Sequence, residues 1–384
     1  MTTLITDQAE LAAFCARQAS ADYIAIDTEF MRESTYWPIL CLVQIAGPEE
    51  AAAIDPLAPG IDLAPLFALM ADQNVLKVFH SARQDVEIFV KLTGAVPTPI
   101  FDTQIAAMVC GFGDSVGYET LVTKLAGARI DKSSRFTDWS RRPLTEKQLH
   151  YALADVIHLR PAYEKLRAQL AETGREKWLG EELKVLTDAG TYITQPEDAW
   201  QRIKTRSSDP RFLAILRELA AWRETEAQKR NQPRGRILRD DALMEIAAHA
   251  PKTTEELART RGLSKSMAEG WQGTGLLAGI ERALALPRDQ RPKPEQKPAL
   301  PQGLGPTVDL LRVLLKMKCE ANDVAQKLVA SASDLELIAA DDEADVPALH
   351  GWRREMFGED ALALKHGRVA LAIEAGQVKA VPVG

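Results

Sequence analysis

The stretch Ile24-Ala25-Ile26-Asp27-Thr28-Glu29-Phe30 decides how the first half of the chain folds. Its opening, IAID, is short, apolar and rich in branched residues, the composition of a buried β-strand. Side chains two apart on a strand point to the same side, so Asp27 and Glu29 project together from its end. Two adjacent carboxylates repel unless a proton or a cation shares the site. Hard oxygen ligands of this kind suit Mg2+ or Mn2+. An acidic pair at a strand's end also serves as an ordinary turn or helix cap, and the pair alone does not choose between the two.

Outward from this strand, apolar runs alternate with amphipathic ones as far as about residue 170. YIAID, ILCLVQIAG, AAAIDPL and VLKVF read as strands; LAPLFALMA, DVEIFVKLTG, DTQIAAMVCG and EKQLHYALADVIHLRPAYEKLRAQLAE read as helices. That is an α/β layer with its strands early, the first two joined through MRESTYWP as a hairpin. The N-terminus reads as a short strand, then a helix capped near Thr6 or Asp7, and lacks a signal peptide's basic start and apolar stretch.

After about residue 195 the strands stop, and DPRFLAILRELAAWRETEAQKR, DDALMEIAAHA, TEELART and LSKSMAEGW read as helices. Residues 287–306 hold six prolines, which excludes a helix or central strand and makes the segment an extended linker. A second helical unit follows, with VDLLRVLLKMKCEAN, ASDLELIAA and ALHGWRREMF. Both units have a long first helix, a basic or amide-rich turn, shorter helices and a late tryptophan, Trp271 or Trp352. A divergent duplication accounts for this, although small helical bundles resemble one another at this level.

The chain has 384 residues, enough for two or three domains. At 46% hydrophobic and 26% charged it has ordinary soluble globular composition, and no apolar run reaches the length of a membrane span. Cys15, Cys41, Cys110 and Cys319 are scattered, which argues against zinc or a disulfide framework and fits a cytoplasmic protein. The net charge of −7 disfavours nonspecific nucleic-acid binding by the whole surface and says nothing of local patches.

Two further segments carry acids in a comparable context. VLKVFHSARQDVEIF is a strand, a turn and a helix bearing Asp85, which could equally favour a helix N-terminus by charge. In HYALADVIHL, Tyr151 and Asp155 are four apart and share a helix face. A tyrosine hydroxyl beside a metal-binding carboxylate can orient a water; a plain surface pair is the alternative.

Together IDTEF, HSARQDVEIF and YALADV resemble the DEDD exonucleases, in the subclass whose third motif is Tyr-x-x-x-Asp. SDPRFLAILRELAAWRETEAQKRNQPRGRILRDDALMEIA resembles the HRDC domain, and the unit beyond the linker does so less clearly. DKSSRFTDWSRRPLTEKQLHYALADV resembles the approach to the third motif in the bacterial ribonuclease D family, whose layout the whole chain follows. The resemblance implies an α/β ribonuclease H-like exonuclease domain, a mixed sheet flanked by helices, followed by two small all-α HRDC bundles. The expected boundaries are 1–195 for the exonuclease with a connecting helix, 200–286 for the first HRDC domain and 287–306 for the linker. A divergent second HRDC domain would span 307–376, with a tail at 377–384.

The resemblance further implies that Asp27, Glu29, Asp85 and Asp155 hold two divalent metal ions, Mg2+ or Mn2+, with Asp27 bridging and Tyr151 positioning the attacking water. It implies 3′→5′ release of nucleoside 5′-monophosphates from RNA, above all from the 3′ trailers of tRNA precursors and other small structured RNAs. Phe30 and His80, beside motif acids, are candidates for contact with terminal nucleotides, or else core and turn residues. Residues 201–240 contain eleven Lys/Arg against five Asp/Glu, a candidate track for phosphates with Lys204, Arg206, Arg230, Arg234, Arg236 and Arg239 densest. Arg141 and Arg142 beside Trp139 form a smaller basic cluster. The acidic run 341–345 would repel RNA, which makes the last unit a spacer, a fence around the site or a protein contact. No membrane association or obligatory protein partner is evident. The competing readings are a DNA-directed exonuclease with the same acids and a noncatalytic RNA-binding scaffold.

Overall fold

The computed structural model describes residues 3–131, 137–293 and 300–383. Residues 132–136 of the DKSSRFTDW stretch and 294–299 of the proline-rich segment lie outside them. The N-terminal half contains β1 (Thr3–Ile5), α1 (Gln8–Gln18), β2 (Tyr23–Met31), β3 (Ile39–Ala46), β4 (Ala51–Ile54) and α2 (Ala64–Ala71). It continues through β5 (Leu76–Phe79), α3 (Arg83–Thr93), β6 (Ile100–Asp102), α4 (Thr103–Val109), α5 (Tyr118–Ala126), α6 (Glu146–Ile157), α7 (Leu159–Thr173) and α8 (Glu176–Thr187).

The six strands form one mixed sheet in the order β1-β4-β3-β2-β5-β6. β2 runs antiparallel to β3 and parallel to β5, so it stands where strand direction changes. Alternation along β2 sends Ile24 and Ile26 to one face, where Leu11, Phe14, Leu66, Val86 and Phe89 complete a core. Ala25 belongs to the opposite face, under α6 and α7. There Ala25, Ala46 and Ala53 meet Ala152, all at most 2% exposed. Four methyl groups in place of larger side chains let α6 lie close across the sheet, which brings its functional face down onto the end of β2.

The expected strands and the hairpin after Met31 are present. β6 was not anticipated: IFD is too short to show a period, and pairing with β5 creates the strand. The long helical run near residue 150 breaks at His158 into α6 and α7, with Pro161 in the first turn of α7, where its missing N–H costs no helical bond.

The first helical unit contains α9 (Pro210–Arg230), α10 (Arg234–Ile237), α11 (Asp240–His249), α12 (Thr254–Leu257), α13 (Lys265–Glu269) and α14 (Trp271–Ala285). The second contains α15 (Gly305–Ala321), α16 (Gln326–Val329), α17 (Ala332–Ala340), α18 (Gly351–Arg353) and α19 (Glu359–Lys365). It closes with a hairpin of β7 (Val369–Glu374) and β8 (Gln377–Pro382). Two expectations change here. Gly305 and Pro306 open α15 rather than ending the linker, proline being suited to a first turn. The expected tail supplies β8, turned back through Ala375 and Gly376 at φ 51° and 81°, the left-handed pair a tight hairpin requires.

Both units dock on the N-terminal half. Tyr36, in the β2–β3 connection, hydrogen-bonds the fully buried Glu224 of α9, which Arg234 holds through contacts of 2.5 and 2.6 Å. In the second unit Trp352 stacks on Trp178 of α8 with ring centroids 4.3 Å apart, and Arg353 pairs with Glu182. Arg175 reaches the carbonyl of Asp323 at 3.2 Å, and the Ala325 N–H donates to Met108 O at 3.0 Å. Among the described residues no helix is long and apolar enough to cross a membrane.

Candidate active site

Three acids meet at the end of β2. Asp27 and Glu29, carried on the α6 side of the sheet, and Asp155 of α6 each offer a carboxylate oxygen, and these oxygens all lie within 4.8 Å of one another. Asp85 enters from the first turn of α3, buried, its Oδ1 accepting a hydrogen bond from Thr28 Oγ1 at 2.5 Å. Thr28 points to the opposite face from Asp27, so one strand segment grips both helices: carboxylates toward α6, a hydroxyl toward α3.

The local sequence explains this placement. α6 starts at a capping box in which Thr145 and Gln148 satisfy each other's backbone N–H, which fixes the helix phase ahead of Tyr151 and Asp155. α3 starts after a turn with Ser81 at φ 62°. The Asp102 carboxylate holds that turn, accepting from Ser81 N at 3.1 Å and Ala82 N at 2.8 Å while also capping α4.

Electrostatics show what the cluster favours. Burial raises the Asp27 carboxyl to about 6, against a lowering hydrogen bond from the Thr28 backbone. Burial, then Asp27, Asp155 and Asp85, drive Glu29 up to about 10. Burial and Asp27 push Asp155 to about 8, moderated by a hydrogen bond from the Tyr151 hydroxyl. Asp85 stands well above the usual carboxylate range through burial first and then Asp27. Four acids so placed cannot all ionise without a counter-charge. Oxygen donors converging this tightly fit a hard divalent cation.

Beside the acids lies a cleft of about 290 Å3 whose lining includes Asp27, His80, Tyr118, Tyr151 and Asp155. His80 Nδ1 stands 3.0 Å from Thr103 Oγ1, and burial lowers its pKa, which favours the neutral ring. Tyr118 donates from its hydroxyl to the Asp155 carbonyl at 2.6 Å and meets the His80 ring edge-on. Phe30, past a bulge after Glu29, packs on the core beneath β2. Trp139 stacks on Tyr151, centroids 6.2 Å apart. Sequence reasoning missed Thr28, Asp102 and Tyr118. Only Asp102 just before α4, an N-cap residue type, could have flagged one of them.

The basic residues divide. Arg142 turns inward: it holds Asp55 through two 2.6 Å contacts and the Cys41 carbonyl at 2.7 Å, so its fork serves the fold. Arg234 is likewise spent on Glu224. Arg141 is exposed and paired with Asp138 at 3.0 Å. Lys204, Arg206, Arg230, Arg236 and Arg239 are exposed on the first helical unit. Arg230 pairs with Glu226 and lies 3.5 Å over the ring of Trp271, and Arg239 is 3.5 Å from Asp241.

A family model described as 3′-5′ exonuclease matches residues 2–171, and one described as HRDC domain matches residues 212–280. Fold and acid cluster therefore define a 3′→5′ exonuclease of a divalent-metal-dependent class, joined to an HRDC domain. Ribonuclease D of Nitrobacter hamburgensis is 55% identical over 376 residues, 98% of each chain. Ribonuclease D of Granulibacter bethesdensis is 51% identical over 383 residues, 100% of this chain and 97% of its own. The crystal structure of Escherichia coli ribonuclease D, described as an exoribonuclease involved in structured RNA processing, superposes with a TM-score of 0.81 at 32% identity, covering 95% of this chain and 99% of that one. The chain belongs to the ribonuclease D family of 3′→5′ exoribonucleases.

Proposed function

We propose that this exoribonuclease shortens structured RNAs, tRNA precursors foremost, one nucleoside 5′-monophosphate at a time at the Asp27, Glu29, Asp85 and Asp155 centre. The observation that carries the reading is the convergence of three of these carboxylates within 4.8 Å, beside a cleft that Tyr151 also lines. The substrate class is carried over from the E. coli relative's description. Two ions, Mg2+ or Mn2+, suit four acids, because two divalent charges balance four carboxylates. Bound there, they would supply charge that stabilises the developing phosphodiester oxyanions and activates water.

The protein's own groups do the rest. Asp27 and Glu29 hold the centre from rigid strand backbone, and Asp155 and Asp85 close it from two helices. Tyr151, hydrogen-bonded to Asp155, presents its hydroxyl to the cleft and orients the attacking water. The neutral His80 ring and Tyr118 wall the space for a terminal nucleotide. Exposed Lys204, Arg206, Arg230, Arg236 and Arg239, with Trp271 under Arg230, form the surface on which RNA phosphates and a base can rest.

We read the second helical unit as a divergent HRDC domain. Its support is the matching succession of a long helix, a one-turn helix and a helix of nine or ten residues: α9–α10–α11 and α15–α16–α17. All four cysteines are free and buried, as suits the reducing cytoplasm we assign to it.

The test uses a tRNA precursor with a short 3′ trailer, labelled at its 5′ end. Wild type in Mg2+ should give a ladder shortening by single nucleotides, whereas EDTA or Asp27→Asn should leave the RNA intact yet bound. Intact RNA in all arms, with single-stranded DNA degraded instead, would overturn the assignment.

A further inference from the structure

Gln44 is fully buried in β3, and neither its Nε2 nor its Oε1 has a hydrogen-bond partner. A buried carboxamide with all its capacity open is destabilising, and an apolar side chain of the same length would relieve that. Its position shows what the amide is for. In the β2–β3 register Gln44 stands directly opposite Asp27, and Glu29, opposite Leu42, is its diagonal neighbour. Directly opposed residues share a face with Cβ atoms about 5 Å apart, within reach of a glutamine and an aspartate side chain.

The other sheet positions flanking Gln44 on this face offer it nothing. Ala25 lies on its second diagonal, Ala53 stands opposite on β4, and Leu42 and Ala46 flank it on β3. Asp55, one pleat beyond Ala53, is already held in two contacts by Arg142. The polar groups within register reach that retain accepting capacity are the carboxylates of Asp27 and Glu29. A carboxylate has about four lone-pair sites, so one that ligates a cation can still accept from an amide.

We propose that Gln44 is a positioning residue of the metal centre, its Nε2–H donating to the Asp27 carboxylate and fixing that side chain's direction when a divalent cation is held. The inference rests on the reading of Asp27 as a metal ligand. In the metal-free protein the amide is idle and its burial a liability; in the loaded protein it orients a ligand, the role that outer partners of ligating groups commonly fill.

The experiment compares full-length wild type, Gln44→Met and Gln44→Asn, without RNA. Mn2+ binding is read by titration calorimetry, and the melting temperature of the EDTA-treated protein by circular dichroism. Gln44→Met keeps side-chain length while removing both polar atoms. It should bind Mn2+ about tenfold more weakly, while the metal-free protein melts at the same temperature or higher. Gln44→Asn, which retracts the amide by one methylene, should weaken Mn2+ in the same direction. Unchanged Mn2+ affinity in Gln44→Met would overturn the proposal. So would weakened binding accompanied by a lower melting temperature in both variants, which would mark a packing role. Asp27→Asn is the control: if it binds Mn2+ like wild type, the reading of the metal centre fails first and separately.

Discussion

Loading the acid cluster with metal must expel protons, and the structure says roughly how many. Glu29 at about 10, Asp155 at about 8 and Asp27 at about 6 together carry roughly two protons in the metal-free protein at pH 7, nearly one on Glu29 and most of one on Asp155. Asp85, raised well above the usual range, adds to that number. Ligating carboxylates are ionised, so these protons leave when a cation binds. Raising the pH to 9 empties Asp155 beforehand, and the release from the three acids falls to roughly one. The assay is calorimetric titration of Mn2+ in PIPES and in Tris, whose different ionisation heats reveal the protons exchanged. Glu29→Gln should lower the release at pH 7 by about one, because the residue it replaces is the one most fully protonated. A release below about one at pH 7, or one that grows toward pH 9, would refute the picture of a crowded site held together by protons until metal arrives.

The same shifts set the stability of the metal-free protein. The folded state holds these protons above the unfolded carboxyl range, so stability is greatest below about pH 4 from this cause and declines as pH rises toward 10, a slope that saturating Mn2+ should remove in melting curves. Tyr151→Phe should lower kcat about 100-fold with KM for RNA little changed, in single-turnover cleavage of the labelled precursor, whereas Asp155→Asn should lose far more. Arg234→Ala leaves Glu224 buried without its cation. It should cost about 3 kcal/mol in urea unfolding, the low end for a broken buried pair because Arg234 is one-third exposed. That loss should shrink as the pH falls, because burial without the Arg234 cation raises the Glu224 carboxyl and lets it take up a proton. Trp352→Ala, which removes the stack on Trp178, should destabilise by about 3 kcal/mol and speed hydrogen exchange at the Ala325 amide, whose acceptor is Met108 of the exonuclease half.

The sequence by itself determined the elements whose signal is local. The continuous apolar, branched runs in YIAID and ILCLVQIAG and the proline run near residue 290 act through neighbours in the chain, and each reads without a fold. It also marked the acids, because Asp27 and Glu29 two apart on a strand and Tyr151 and Asp155 four apart on a helix must share a face whatever else happens. Three decisions waited for tertiary structure. Strand β6 and the C-terminal hairpin arise from pairing, since three or six residues carry too weak a period to declare themselves. The roles of arginines depend on what stands opposite them: Arg142 and Arg234 look like their exposed neighbours in sequence, but Asp55 and Glu224 draw them inward. The convergence of Asp27, Glu29 and Asp155 depends on four alanines, two of them 21 and 28 residues beyond Ala25 and a third on α6, that let helix and sheet approach. Their small size has no meaning along the chain. It matters only where the two surfaces meet, and there it sets the distance between the carboxylates.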